Sequence, residues 1–326
     1  MQSSSRFWYC LALCLSLTAQ TATADQRLGS PLRLHSDGRL SEQHGDIRLL
    51  GALTLSGMPE LAELSDIAWD QDEQTLYAVS DRGLLLHLQP VFERQRLVDV
   101  LMRGFYPLKD AKGRRLKGAH ADAEGLVIEK GNNGIRGDSR LTVSFERKHR
   151  IAHYAPDGSF IAAVKLPADL DNPRFYRGDN KGMEALGLHP DFGYLSGPER
   201  SRQGGDIPIY SIAQGHRWHY SPAVRYGALV ALENYDGDRL LVLERAFKSL
   251  LDPLVITLSL LPINAANRET VPPPQRIASF DSTRGWLTQN LEGLARHHGH
   301  RYFMVSDDNG ESYLQTQLIY FEVTAD

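Results

Sequence analysis

The chain has 326 residues, 36 of them Lys or Arg and 40 Asp or Glu, for a formal charge of −4. With that balance, and with no basic stripe or Lys/Arg run interleaved with aromatics, nucleic acid is not an expected partner. The two cysteines, Cys10 and Cys14, both lie near the start, so the rest of the chain offers no thiol nucleophile, disulfide or Cys-ligated zinc.

In chain order, the first element is a leader. Arg6 is followed by the apolar run "FWYCLALCLSL" and by "ATA" just before Asp25, the pattern of a cleaved secretory signal. The run is shorter than the 20 or so apolar residues that a spanning helix needs, and no later stretch is longer. Residues 1–24 are therefore expected to be a signal peptide and 25–326 one domain. The mature protein is expected to be periplasmic or secreted, with no membrane span after cleavage.

Short strand-like runs follow: "LTLSG", "TLYAVS", "LLLHLQP", "LTVSF", "FIAAVKL", "RLLVLE", "LVITLSLLPI", "RYFMVS" and "TQLIYFEV". Turn signals such as "PDG" and "GNNG" punctuate them, and helical periodicity is scarce. The reading is all-β. A repeated unit then specifies the architecture: an acid before an apolar strand, a polar turn, and a second strand ending in a charged cluster. It recurs as "SDIAW…AVSDRG", "DAEGLVI…SFERK", "GMEALGL…GPER", "GALVALE…LERA" and "NLEGLA…SDDN", at intervals of roughly 44 to 64 residues. Such steps suit the four-stranded blades of a single β-propeller. Six blades are the first expectation and five the alternative. The N-terminal "DIRLLGALTLSG" is expected to join the last blade and close the ring, and 265–276 to be a connecting loop.

In a propeller the inner strands line one channel, so acids at matching places in the repeats converge. The inner set is Asp66, Glu124, Glu184 and Glu292. The second-strand ends add Asp81, Arg82, Glu146, Arg147, Glu199, Arg200, Glu244, Arg245, Asp307, Asp308 and Asn309. Crowded carboxylates must take up protons, pair with arginine or bind a cation, and an oxygen-only set favours calcium over zinc. The roles expected are acid–base work for Glu124, Glu184, Glu292 and His120, and a small anionic or ester substrate held by Arg82, Arg147, Arg245 and Asn309. Asp66, Glu146, Glu199, Glu244, Asp307 and Asp308 are the candidate calcium ligands. There is no Gly-x-Ser-x-Gly elbow, His-Glu-x-x-His motif or phosphate loop. The cluster "RHHGH", with His297, His298 and His300, reads as a solvated hairpin turn.

These five phrases, in this order from Leu53 to Val323, resemble the phytase-like domain family, also described as the esterase-like activity of phytase family. The resemblance implies an exported bacterial β-propeller associated with phytase and esterase activity. Its acidic marks fall on Asp66, Glu124, Glu184, Glu199, Glu244 and Glu292, and its terminal "SDDN" on Ser306 to Asn309. One departure is Ala228, where the family pattern implies Glu. The expectation is a calcium-assisted hydrolase of phosphate or carboxylic esters. The alternatives are a non-catalytic ligand- or protein-binding propeller of the cell envelope and a lactonase-type propeller.

Overall fold

The computed structural model describes residues 26–325 except 39–41, 173, 175, 177–181, 203, 248–251 and 268–270. The expected signal peptide lies outside the described residues. Strands dominate because β-branched and aromatic residues alternate between turn residues that stop each run. At the first hairpin, Asp70 Oδ1 accepts from the amides of Asp72 (3.0 Å) and Glu73 (2.9 Å), and Gln74 takes a left-handed φ of 54°. At "PDG", Gly158 has φ +74°, and a Cβ there would lie 2.4 Å from the Pro107 carbonyl oxygen. Only glycine fits that turn.

Five antiparallel sheets result, each a blade. Their inner strands are Leu64–Asp70, Ala123–Glu129, Met183–His189, Gly227–Asn234 and Asn290–His298. Consecutive inner strands pack side by side, and the fifth returns to the first. The ring therefore has five blades among the described residues, the smaller of the two numbers allowed by the repeat. The longer intervals hide no sixth blade: among the described residues, the strands between successive inner strands all belong to the five sheets.

Five apolar clusters form the core, one at each interface between neighbouring blades. Between the last blade and the first, for example, Phe303, Val305 and Tyr320 pack against Leu64, Leu76 and Leu86. Closure follows the expected route. Ile47–Leu55 pairs with Thr316–Val323 of the last blade. Just upstream, Gln26–Arg27 pairs with the outer strand of blade 1 and Gly29–Pro31 with Ile47–Leu55 of blade 5, so one short segment joins both sides of the seam. Asp99 fixes it: Oδ1 accepts from the Gly29 amide at 2.9 Å and Oδ2 from Arg27 at 2.7 Å. Among the described residues, no helix is long and apolar enough to cross a membrane.

Candidate functional site at the channel mouth

Each inner strand slips register near its start. The shifts fall at Leu64/Asp66, at Ala123/Leu126 (opposite Val143/Phe145), and at Met183/Ala185, Leu229/Ala231 and Leu291/Gly293. A bulge of this kind leaves one residue unpaired and re-aims its side chain. The residues so placed are Ser65, Glu124, Glu184, Val230 and Glu292. On the adjacent second strands, Asp81, Glu146, Glu199, Arg245 and Asp307 occupy the matching end positions. Two rings of side chains thus surround the channel mouth.

The electrostatics follow this geometry. Burial holds Glu124 well above the ordinary carboxylate range, and the negative charges of Glu184, Asp81, Glu146 and Glu292 push it further. Glu184 is raised by burial and by Glu146, Glu199 and Glu292, with Arg245 opposing. Asp81 is pushed up to about 7 and Asp307 to about 8, each mainly by burial. These are the acids whose mutual repulsion the repeat predicts.

Two arrangements relieve it. At blade 4, the Arg245 guanidinium donates to Glu292 and Asn290 and lies 3.3 Å from Glu199. Asn290 Nδ2 also donates to Glu292 Oε1, at 2.9 Å. Ala228 stands directly across the ladder from Arg245, and its small side chain leaves that guanidinium its path. Between blades 1 and 2, carboxylate oxygens of Asp81, Asp122 and Glu124 all lie within 4.8 Å of one another. Asp81 and Asp122 line a cavity of about 500 Å³ together with Glu63, Arg82, Arg115, Lys117 and Arg147. Arg147 Nε is 3.0 Å from Asp122 Oδ2, and Arg82 donates to the Pro59 carbonyl at 2.8 Å. The three-acid set is all oxygen and fits a hard divalent cation.

Other expected site residues sit differently. Asp66 is one position past the bulge and points into the blade junctions. Its carboxylate accepts from the amides of Leu126 (2.7 Å), Ile67 (2.8 Å) and Leu294 (3.0 Å), so three backbone donors occupy the oxygens proposed for calcium. Gly293 makes this possible, because a Cβ there would meet Asp66 Cα at 2.8 Å. Glu244 is also one residue off the mouth. It is buried in blade 4, accepting from Thr257 Oγ1 and the Ala223 amide, each at 3.0 Å. Asp308 accepts from the Glu63 and Gly310 amides and ties a loop of blade 5 to blade 1.

His120 is exposed on the turn Gly118–His120, and its ring does not line the cavity. Asn309 lies beside a separate cavity with Arg245 and Tyr313. The position equivalent to Glu292 in blade 4 is Val230, not Ala228, because the ladder slips around Val230. Glu146 and Glu199 do reach the mouth, and Glu146 Oε1 accepts from the Gly182 amide at 3.1 Å. Asp122 was missed by the repeat, although it stands two residues before Glu124 in the same phrase.

A family model described as phytase-like, esterase-like activity of phytase, matches residues 59–310, well over half of the chain. The chain belongs to the phytase-like family. No curated protein matches it. Among solved structures, the Pan2 WD40 domain of Neurospora crassa is similar at 9% identity and a TM-score of 0.39, over 87% of this chain and 97% of that one. In this phytase-like propeller the acid-rich mouth therefore belongs to a domain type named for ester chemistry.

Proposed function

We propose that this phytase-like propeller is an exported hydrolase of phosphate esters, and less readily of carboxylic esters, with calcium held at the mouth by Asp81, Asp122 and Glu124. One observation carries the reading. Three carboxylates from two blades converge, and two of them, Asp81 and Asp122, line a cavity with Glu63 and four cations, Arg82, Arg115, Lys117 and Arg147. Calcium takes oxygen ligands at roughly 2.3–2.6 Å, so oxygens that share one ion lie within about 5 Å of each other, as these do.

When bound, the ion would polarise an ester oxygen and offset the charge of the acids. The chain's own groups do the rest. The rim guanidinium groups bind an anionic ester and stabilise charge that develops on it. Glu184, beside Glu124 and raised by burial and neighbouring acids, takes the general acid–base role toward water. Glu292 is gripped by Arg245 and Asn290, which fix its carboxylate in place. The cationic rim is the reason for placing phosphate before neutral esters.

Metal-stripped protein assayed on an aryl phosphate and an aryl acetate, with calcium or with chelator, tests this. Calcium-dependent turnover that falls about 100-fold in Glu124→Gln is expected. Equal rates for wild type and variant, in calcium and in chelator alike, would end the proposal. Val230 and Arg245 interrupt both acid rings at blade 4, which favours the second reading, a binding propeller without turnover; tight calcium binding with neither ester cleaved would select it. Export rests on the apolar leader. N-terminal sequencing of the protein recovered from cell fractions should begin at Asp25, and a retained Met1 would contradict it.

A further inference from the structure

The other end of the channel holds chemistry that the proposed hydrolase does not use. His297 lies five residues beyond Glu292 on the same inner strand, about 16 Å along it at the usual strand rise. There it lines a cavity of about 900 Å³ with Trp69, Gln71, Asn132, Arg296 and His298. Consecutive residues of a regular strand point to opposite faces. A second bulge, between Arg296 and His298, cancels that alternation. The two imidazoles consequently face each other, with Nδ1 3.0 Å from Nδ1 and the ring planes at 78°.

Ordinary hydrogen bonding does not satisfy this arrangement. His297 Nδ1 has one in-plane site, either a lone pair or a proton. It faces two partners, His298 Nδ1 at 3.0 Å and the Tyr320 hydroxyl at 2.7 Å. The His297 ring is also held in place, stacked on Phe92 at 5.2 Å and edge-on to Trp69 at 4.6 Å.

We propose that His297 Nδ1 and His298 Nδ1 form a binding site for a borderline divalent transition metal, copper(II) or nickel(II), at the end of the channel opposite the acid mouth. With metal–nitrogen distances of about 2.1 Å, nitrogens 3.0 Å apart subtend an angle of about 90° at the metal. That angle belongs to square-planar or tetragonal coordination rather than to tetrahedral zinc. Both histidines line the cavity, which gives room for water at the remaining positions. Two adverse charges stand nearby: Arg296, which lines the same cavity and donates to the Gly299 carbonyl at 2.8 Å, and Arg301, 3.5 Å from His298 Nε2. Pairing with Glu322 at 3.1 Å offsets that of Arg301.

The test uses metal-stripped full-length protein titrated with copper(II) chloride by calorimetry and paramagnetic resonance. One equivalent bound with hyperfine coupling to two nitrogens is expected, weakened about tenfold or more in His298→Ala, an exposed position that should leave the fold intact. Glu124→Gln, at the opposite end, should bind copper like wild type, and excess calcium should not displace it. Coupling to fewer than two nitrogens, or unchanged affinity in His298→Ala, would overturn the proposal.

Discussion

Asp66 and Glu124 are both acids at the start of an inner strand, on neighbouring blades, yet one is saturated and the other crowded. Asp66 receives three backbone amides, two of them from the blades on either side. It acts as a rivet for the ring. The influences on Glu124 are burial and four other carboxylates, all of which oppose its charge. A single position along the strand separates these fates. In the bulge a side chain enters the mouth, whereas one residue later it enters the junction between blades. Glu233 repeats the Asp66 pattern, accepting from the Asn234 and Arg296 amides. Local charge composition therefore does not distinguish a binding acid from a structural one, but the amide donors around it do.

The largest expected effect sits on the saturated side. Asp66→Ala leaves two inter-blade amides without their acceptor, at about 1–3 kcal/mol each, and should lower unfolding free energy in urea by about 2–5 kcal/mol. A loss under 1 kcal/mol would show that the amides find other partners and that Asp66 is no rivet. On the crowded side, Glu124→Gln removes one of several repelling charges. Stability in the absence of metal should hold or rise, while calcium affinity measured by calorimetry drops about tenfold or more. A variant that loses stability as Asp66→Ala does would erase the distinction between the two acids.

Next in size is the pH response. Asp81 and Asp307 have folded values near 7 and 8, above those of an unfolded chain. Between about pH 4 and 8 the folded state binds more protons, so stability falls as pH rises. The contribution is full below about pH 4 and lost through pH 7 to 8. Metal-free protein should thus melt at a lower temperature at pH 9 than at pH 5, and saturating calcium should flatten the slope. A metal-free profile that rises over this range would contradict the crowding. The smallest effect is expected at exposed His120, where alanine should change stability by less than about 0.5 kcal/mol and leave ester turnover unaltered.

Much of the architecture was legible because the repeat is written twice per blade, as an apolar inner strand and as a charged second-strand end. The closing strand was readable for the same reason, since it completes a blade otherwise short of strands. Register was the harder feature. Matching the repeats by their acids puts Asp66 and Ala228 in line with Glu124, Glu184 and Glu292. Matching them by the pair that follows, Asp66–Ile67, Gly125–Leu126, Ala185–Leu186, Ala231–Leu232 and Gly293–Leu294, which is Gly or Ala before an apolar residue in four of the five, puts Ser65 and Val230 there instead, as the ladders require. The apolar pattern was the better guide because packing between blades sets register, and surface charge does not. Asp122 escaped notice because it precedes the strand, and its counterpart in blade 1, Glu63, lies outside the phrase that marks that repeat; only the fold sets Asp122 beside Asp81.

The seam between the last blade and the first also has a kinetic side. Ile47–Leu55 emerges from the ribosome early but finds its ladder partner only when Thr316–Val323 exists; Arg48 and Glu322, which pair across it, are 274 positions apart. Contacts so distant along a polypeptide slow the search for the native state. Until the circle shuts, both terminal sheets present unpaired edges. Pairing of these two distant strands is what covers those edges and removes that route to aggregation.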